Sequence, residues 1–551
     1  MSTSKDEIRA SFGINHELVG DYDESLAVKC RTGTFVGRSK DGITAFRGIP
    51  YAKQPVGPRR WKRAEPLSDS DRIFEAYYNG KSPVQTQIDS ERASYYPKGE
   101  ACLYLNIWSS PEYKDKTVMV FFHGGAYGWG GTADPLYDGH NFVKAHPDVI
   151  MVTVGYRVGI LGFIDLSYID GGDAYPDAPN LGLLDQIEAL RWIKKNITSF
   201  GGNPDNITIF GESAGGGSVS LLPIIPEAKG LFNRVIAQSG SVALTYSKAE
   251  CRDYTMKLKK GAKIKRMSDL MRMSENEIIA LNAHLDLDNN FPQRDGRLIP
   301  EDPYRLYADG ATDGIDFLIG TNSNELNYWI GELGGIVPFR FGIPVKFEND
   351  MKRLSRHDKA RVDKFISGMK GHSMWRIAEF YNEVMFRLPA IKQAELHSNN
   401  GGNAYMYYWR EPSLIKFRGA CHAVELAYVF GNTDETIYTG APADRKLSEK
   451  IMNIWAGFAK TGNPSLEGLE WDKFNSETRA TMILEQEPHL GYDILRKQRK
   501  LLDPILKYMI HASYTELDLN VPFVRKSAVK LAGLALAGTA AALGIRKLLK
   551  K

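Results

Sequence analysis

Cysteine is scarce in this chain: four in 551 residues, Cys30, Cys102, Cys251 and Cys421, widely spaced and with no CxxC pair. Neither a disulfide framework nor a cysteine-ligated metal cluster is read from them. An apolar stretch is missing from the N-terminal MSTSKDEIRA, so no secretory signal peptide is read and the expected compartment is the cytoplasm. No repeat with a period of about 20–50 residues is evident, and no Ser/Pro-rich linker splits the chain. A basic body is missing too. The net charge is +4, but Arg525, Lys526, Lys530, Arg546, Lys547, Lys550 and Lys551 all follow Val521, with no acid among them. Residues 1–520 therefore carry −3, which argues against a nucleic-acid-binding face on the folded part.

What is present is ordinary globular composition, 43% hydrophobic and 25% charged, which excludes a disordered or collagen-like chain. The runs Thr117–Phe122 (TVMVFF) and Val149–Val154 (VIMVTV) are continuous, β-branched and aromatic, as expected of strands covered on both faces. Ile207–Phe210 and Arg234–Ala237 follow the same pattern. Between them, Leu184–Asn196 reads as a helix with Leu184, Ile187, Leu190 and Ile193 near one face. Strands alternating with helices predict an α/β fold around a mostly parallel sheet. Residues 247–349 read as more irregular and polar, an excursion from that sheet.

Directly after the Ile207–Phe210 run comes Gly211-Glu212-Ser213-Ala214-Gly215, a G-x-S-x-G pattern at a strand-to-helix turn. A nucleophilic serine has to be lifted out of the sheet on a sharp turn, and glycines two positions either side remove the β-carbons that would collide. A tight turn in which serine merely tolerates the geometry is the alternative. His123-Gly124-Gly125-Ala126 closes the Thr117–Phe122 run, and its small residues leave main-chain N–H groups free to face a site. Removing one such oxyanion donor costs on the order of 10²–10³ in rate. Taken alone, HGGA also reads as a flexible glycine loop.

With these two elements the chain resembles the type B carboxylesterase/cholinesterase family of α/β-hydrolases, closest in motif to bacterial para-nitrobenzyl esterases. The resemblance spans roughly residues 31–501. Its landmarks are Phe46-Arg47-Gly48-Ile49-Pro50-Tyr51-Ala52, Cys102-Leu103-Tyr104-Leu105-Asn106, Tyr156-Arg157-Val158-Gly159 and Asn180-Leu181-Gly182-Leu183-Leu184-Asp185-Gln186. It implies an α/β-hydrolase fold, a large mostly parallel twisted sheet flanked by helices with inserted helical or irregular cap regions. It implies a serine carboxylic-ester hydrolase working through an acyl-enzyme on small to medium esters, without metal or organic cofactor. The family's G-T-N-x-x-E run, here Gly320–Glu325, assigns the acid to Glu325. Its G-A-x-H-x-x-E-L run, here Gly419–Leu426, assigns the base to His422. The order Ser213, Glu325, His422 is the one typical of this fold. By the same resemblance Gly125, Ala126 and Ala214 form the oxyanion hole, and Glu212 and Ser239 support the catalytic groups. Tyr127, Trp129 and Trp329 are candidates to line the substrate pocket, with core packing as the alternative for each.

Two departures from the family are visible. The partner that secreted relatives provide for Cys102 is absent from Pro83-Val84-Gln85-Thr86-Gln87, and no tryptophan lies between Trp61 and Trp108 where cholinesterases hold choline. Residues 1–512 are expected to form a single hydrolase domain and 513–551 a basic, Ala/Leu-rich tail. The uncharged run Leu531–Ile545, about 22 Å long as a helix against a hydrocarbon core of about 30 Å, suits an interfacial helix on anionic lipid. A disordered or self-associating tail is the other reading. The alternatives to the small-ester hydrolase are a membrane-surface lipase using that tail and a non-catalytic esterase-like adhesion or scaffold protein.

Overall fold

The structure, a computed structural model, describes residues 2–85, 96–281, 291–332 and 336–510. The expectations for the C-terminal tail, and the domain boundary at 512, lie outside the described residues. An eleven-stranded sheet forms the centre. Its strands in chain order are β1 (Arg38–Lys40), β2 (Ile43–Pro50), β3 (Tyr104–Ser109), β4 (Lys116–Phe122), β5 (Val149–Val154), β6 (Gly202–Glu212), β7 (Arg234–Gln238), β8 (Asp316–Asn322), β9 (Ala404–Trp409), β10 (Ala480–Leu484) and β11 (His489–Tyr492). Across the sheet they run β11-β10-β9-β8-β7-β6-β4-β5-β3-β2-β1. The seven strands from β10 to β5 are mutually parallel, and the flanking pairs are antiparallel.

The two apolar runs read from the sequence are β4 and β5, and every residue of both is buried. Such burial stabilises by about 1.5–3 kcal/mol per large aliphatic or Phe side chain. Phe121 and Phe210 face each other from β4 and β6 at 4.9 Å between ring centres, and Phe430 closes the cluster at 5.0 and 5.7 Å. The flanking helices named below are α1 (Leu181–Asn196), α2 (Ala214–Leu221), α3 (Ile336–Arg353), α4 (Arg356–Ser367), α5 (Ser373–Tyr381), α6 (Leu388–Asn399) and α7 (Arg445–Thr461). Helix α1 is buried on nearly every side rather than along one stripe, and its buried Asp185 is satisfied by a bidentate pair from Arg157 at 2.6 and 2.8 Å. That pair ties the Tyr156–Gly159 and Asn180–Gln186 motifs together inside the protein.

The described residues of 247–349 are more regular than their polarity suggests. They hold β8, a central strand, and several helices. The strand was obscured because only Phe317, Leu318 and Ile319 are apolar before Gly320, Thr321 and Asn322 take over at its end. All four free cysteines are buried. Strand order reverses at β4, with β5 on one side and β6 on the other. In open parallel sheets such a reversal leaves a crevice at the carboxyl ends of the strands, where ligands bind.

Candidate active site

Four chain segments meet beyond the carboxyl ends of β4, β6, β8 and β9. The first is the turn after β6. Ser213 sits at φ 58°, ψ −119°, a conformation L-residues hold only when the surroundings impose it, and caps α2. The glycines around it are sterically required. A β-carbon on Gly215 would lie 1.9 Å from the Phe122 carbonyl oxygen, and one on Gly211 would lie 2.5 Å from the carbonyl carbon of Gly215. The Ser213 N–H donates to the Gln238 carbonyl at 2.9 Å, and the Gly217 N–H donates to the Ser213 carbonyl at 2.8 Å.

The loop after the neighbouring strand β4 leans on this turn: a β-carbon on Gly124 would be 3.1 Å from Ser213 Cβ. Gly125, Ala126 and Tyr127 take positive φ in succession, a curl that turns consecutive N–H groups inward. The Gly125 carbonyl closes the curl by accepting from the N–H groups of Gly128 and Trp129 at 2.9 and 3.0 Å. Among the described residues no protein acceptor takes the N–H groups of Gly125, Ala126 or Ala214. His123 anchors the loop. Its carbonyl accepts from the Tyr156 hydroxyl at 2.6 Å, and its ring stacks on Tyr156 at 4.4 Å. Burial pulls the His123 pKa down to about 4, so the ring is neutral and Nδ1–H donates to the Gly124 carbonyl at 2.8 Å.

Glu325 and His422 come from the turns after β8 and β9, which are joined by Asn324 N–H to Ala420 carbonyl at 2.9 Å and Ala420 N–H to Asn324 Oδ1 at 3.1 Å. The carboxylate of Glu325 lies 2.6 Å from His422 Nδ1, which fixes the tautomer with the proton on Nδ1. Its other oxygen accepts from the Ser239 hydroxyl at 2.6 Å and from the Asn322 N–H at 2.7 Å. Beneath them Asn322 Nδ2 donates to the Cys421 carbonyl at 2.8 Å and to Glu425 at 2.6 Å, and Gln238 Nε2 reaches the other Glu425 oxygen at 3.1 Å. Burial raises the Glu425 pKa, against the pull of its amide donors.

The second imidazole nitrogen has a less expected neighbour. His422 Nε2 lies 3.1 Å from Glu212 Oε1, outside hydrogen-bond geometry, and the Ser213 hydroxyl does not hydrogen-bond to it. Such contacts are often loose before substrate enters. Burial opposes a charge on the ring, but the Glu212 and Glu325 carboxylates outweigh it and hold the His422 pKa up at about 9.

Of the candidate pocket residues, Trp329 stacks on the His422 ring at 5.5 Å. Tyr127 is fully buried behind the serine turn, between Phe163 and Phe291 at 4.9 and 5.5 Å. Trp129 packs against the small cluster of Ile8 and Tyr96. Two rings at the imidazole had no role in the sequence reading. Tyr328 lies 5.8 Å from it, adjacent in sequence to Trp329, and Phe386 lies 5.1 Å from it. Phe386 belongs to a π-helical turn, Asn382–Arg387, between α5 and α6. Such turns occur frequently at functional sites, but nothing in the local sequence announces this one.

The carboxylesterase family profile matches residues 24–502. The para-nitrobenzyl esterase of Bacillus subtilis is 34% identical over 507 residues, covering 87% of this chain and 98% of that protein. A mouse cholinesterase is 30% identical over 543 residues, 88% of this chain and 86% of its own. Among solved structures, a thermophilic PNB esterase and a carboxylesterase of Geobacillus stearothermophilus each align with a TM-score of 0.75 at 31% identity, covering 86% of this chain and 99% of theirs. With a family match over most of its length and full-length relatives on both counts, the chain belongs to the carboxylesterase family and is a carboxylic ester hydrolase of α/β-hydrolase fold.

Proposed function

We propose that the chain hydrolyses small to medium carboxylic esters through an acyl-enzyme on Ser213, with His422 as base and Glu325 as its orienting carboxylate. Serine is a poor nucleophile at neutral pH, so His422 Nε2 takes the Oγ proton as Oγ attacks the ester carbonyl. The oxyanion that forms accepts hydrogen bonds from the N–H groups of Gly125, Ala126 and Ala214. The imidazolium, stabilised by Glu325, gives its proton to the departing alcohol. Water then enters, loses a proton to His422 and attacks the acyl carbonyl, and the acid leaves as Ser213 recovers its proton. Glu212 and Ser239 act on this sequence through His422 and Glu325.

The observation that carries the reading is the 2.6 Å contact between Glu325 and His422 beside a serine held at a positive-φ turn. The test is a panel of p-nitrophenyl esters run on the wild type and on Ser213→Ala, beside labelling with a fluorophosphonate. Turnover should fall by several orders of magnitude in a variant that stays folded, and the label should map to Ser213. Full turnover in Ser213→Ala, or a label on another hydroxyl, would overturn the assignment.

A further inference from the structure

The loop after β9 carries an exposed apolar tip. Leu414 is 75% and Phe417 43% exposed, and Phe417 holds φ 72°, a conformation disfavoured for a bulky residue. The tip is not loosely attached. Asn327 Nδ2 donates to the Phe417 carbonyl at 3.1 Å, and the Arg418 guanidinium lies over Tyr328 at 5.8 Å. Tyr328 in turn touches the His422 ring.

From Phe417 the rings run inward to the half-buried Trp375 on α5 at 6.2 Å and the fully buried Phe339 of α3 at 6.3 Å, which root the tip on the helical insertion. Beside these rings in the chain stand Lys416, Arg418, Arg376 and Arg340. Arg418 donates to the Ile437 carbonyl at 3.5 Å and Arg376 to the Ile366 carbonyl at 3.2 Å, not to carboxylates. Lys416 Nζ sits 4.8 Å above the Phe417 ring, and Arg340 reaches His372 at 3.2 Å. The result is an exposed apolar tip, Leu414 and Phe417, flanked by Lys416 and Arg418 and seated beside the proposed catalytic imidazole.

We propose that this face docks on an anionic lipid–water interface. An acidic protein or a nucleic acid would satisfy the cations and leave Leu414 and Phe417 in water. A lipid surface takes both, with apolar tips buried at the headgroup boundary and cations against anionic headgroups. The position of the last described residues agrees. At one end of α4, the Tyr508 hydroxyl donates to Asp358 at 2.7 Å; near the other, the Ile366 carbonyl accepts from Arg376 at 3.2 Å. The two points are about 12 Å apart along the helix, so Tyr508, among the last described residues, rests on the same helical insertion. Docking there would place lipophilic esters beside Tyr328, Trp329 and His422. The inference adds a surface to the esterase reading, and its test uses no turnover to detect binding.

The experiment is co-sedimentation of the full chain with vesicles of dialkyl phosphatidylglycerol mixed with dialkyl phosphatidylcholine, and with phosphatidylcholine alone. Their ether-linked tails cannot be hydrolysed as esters. The wild type should sediment with the anionic vesicles and not with phosphatidylcholine alone. Both Lys416→Glu/Arg418→Glu and Leu414→Ser/Phe417→Ser should lower partitioning by about tenfold or more. Leu414→Asp, at a site too exposed to unfold the protein, should weaken it in the same direction. Absence of wild-type sedimentation overturns the proposal. Equal sedimentation of wild type and all three variants also overturns it, because the C-terminal sequence alone would then be the contact. Hydrolysis of p-nitrophenyl acetate by Leu414→Asp at the wild-type rate checks that its site is intact.

Discussion

Glu212→Gln is the most discriminating perturbation of the site. Glu212 Oε1 is 3.1 Å from His422 Nε2, and both side chains are buried. Two unit charges at that separation interact by roughly 5 kcal/mol at an effective dielectric of about 20. Glutamine keeps the volume and the dipole but removes the charge, and losing a close opposite charge lowers a cation's pKa by about 1–3 units. His422 is held up at about 9, so at pH 7 roughly one free enzyme in a hundred carries the neutral ring that can act as base. The assay is kcat/KM for p-nitrophenyl acetate from about pH 5 to about pH 10, which reports ionisations of the free enzyme. In the wild type the rate should be half-maximal near pH 9 and still be rising above it. In Glu212→Gln the same limb should appear one to three units lower. Stability runs the opposite way. A folded-state pKa raised from 6.5 to about 9 stabilises the fold below pH 6.5, and that contribution, about 3 kcal/mol at most, fades as pH rises through 9. The variant should lose less stability over this window. An acid limb that stays put or moves upward would refute the electrostatic account of Glu212.

Three further substitutions test other parts of the site and its frame. Gly215→Ala places a methyl 1.9 Å from the Phe122 carbonyl oxygen, so the serine turn must shift; turnover should fall by about 10² or more, with a lowered Tm in a thermal melt. Ser239→Ala removes the 2.6 Å donor to Glu325, a charge-assisted bond worth about 1.5–3 kcal/mol. Where that bond strengthens as the imidazolium forms, kcat drops about 10- to 100-fold with KM unchanged, whereas a purely structural role would move Tm alone. Arg157→Ala strands the fully buried Asp185 carboxylate and should cost about 3–5 kcal/mol in urea unfolding; a smaller effect than 1 kcal/mol would show that water reaches the pair.

The parts of the fold legible in the sequence were those where one steric or hydrophobic demand dominates. TVMVFF and VIMVTV permit little except covered strands, and Gly211 and Gly215 mark a place where any β-carbon meets backbone. Family resemblance, not spacing, singled out Glu325 and His422, because a lone carboxylate and one of 11 histidines carry no local signature. The charge environment stayed hidden for a different reason. That Glu212 faces Nε2, or that Asn322 and Gln238 share Glu425, depends on side chains from four strand ends meeting in space. Phe386 reaches the ring because a π-turn shifts the register of its helix, and no sequence period reports that shift. Strand β8 was hidden by its own function: Gly320, Thr321 and Asn322 end it in the polar turn that carries Glu325.

Every reacting group in the proposed site arrives from a different, distant stretch of chain: Gly125, Ser213, Glu325 and His422 are brought together at the ends of side-by-side parallel strands. Parallel pairings of this kind close long loops before any contact rewards them, and they form slowly. On refolding from denaturant, helical circular dichroism should therefore return well ahead of ester turnover. No contiguous fragment shorter than about 300 residues holds all four groups, so proteolytic pieces should be inert even where they keep native helices.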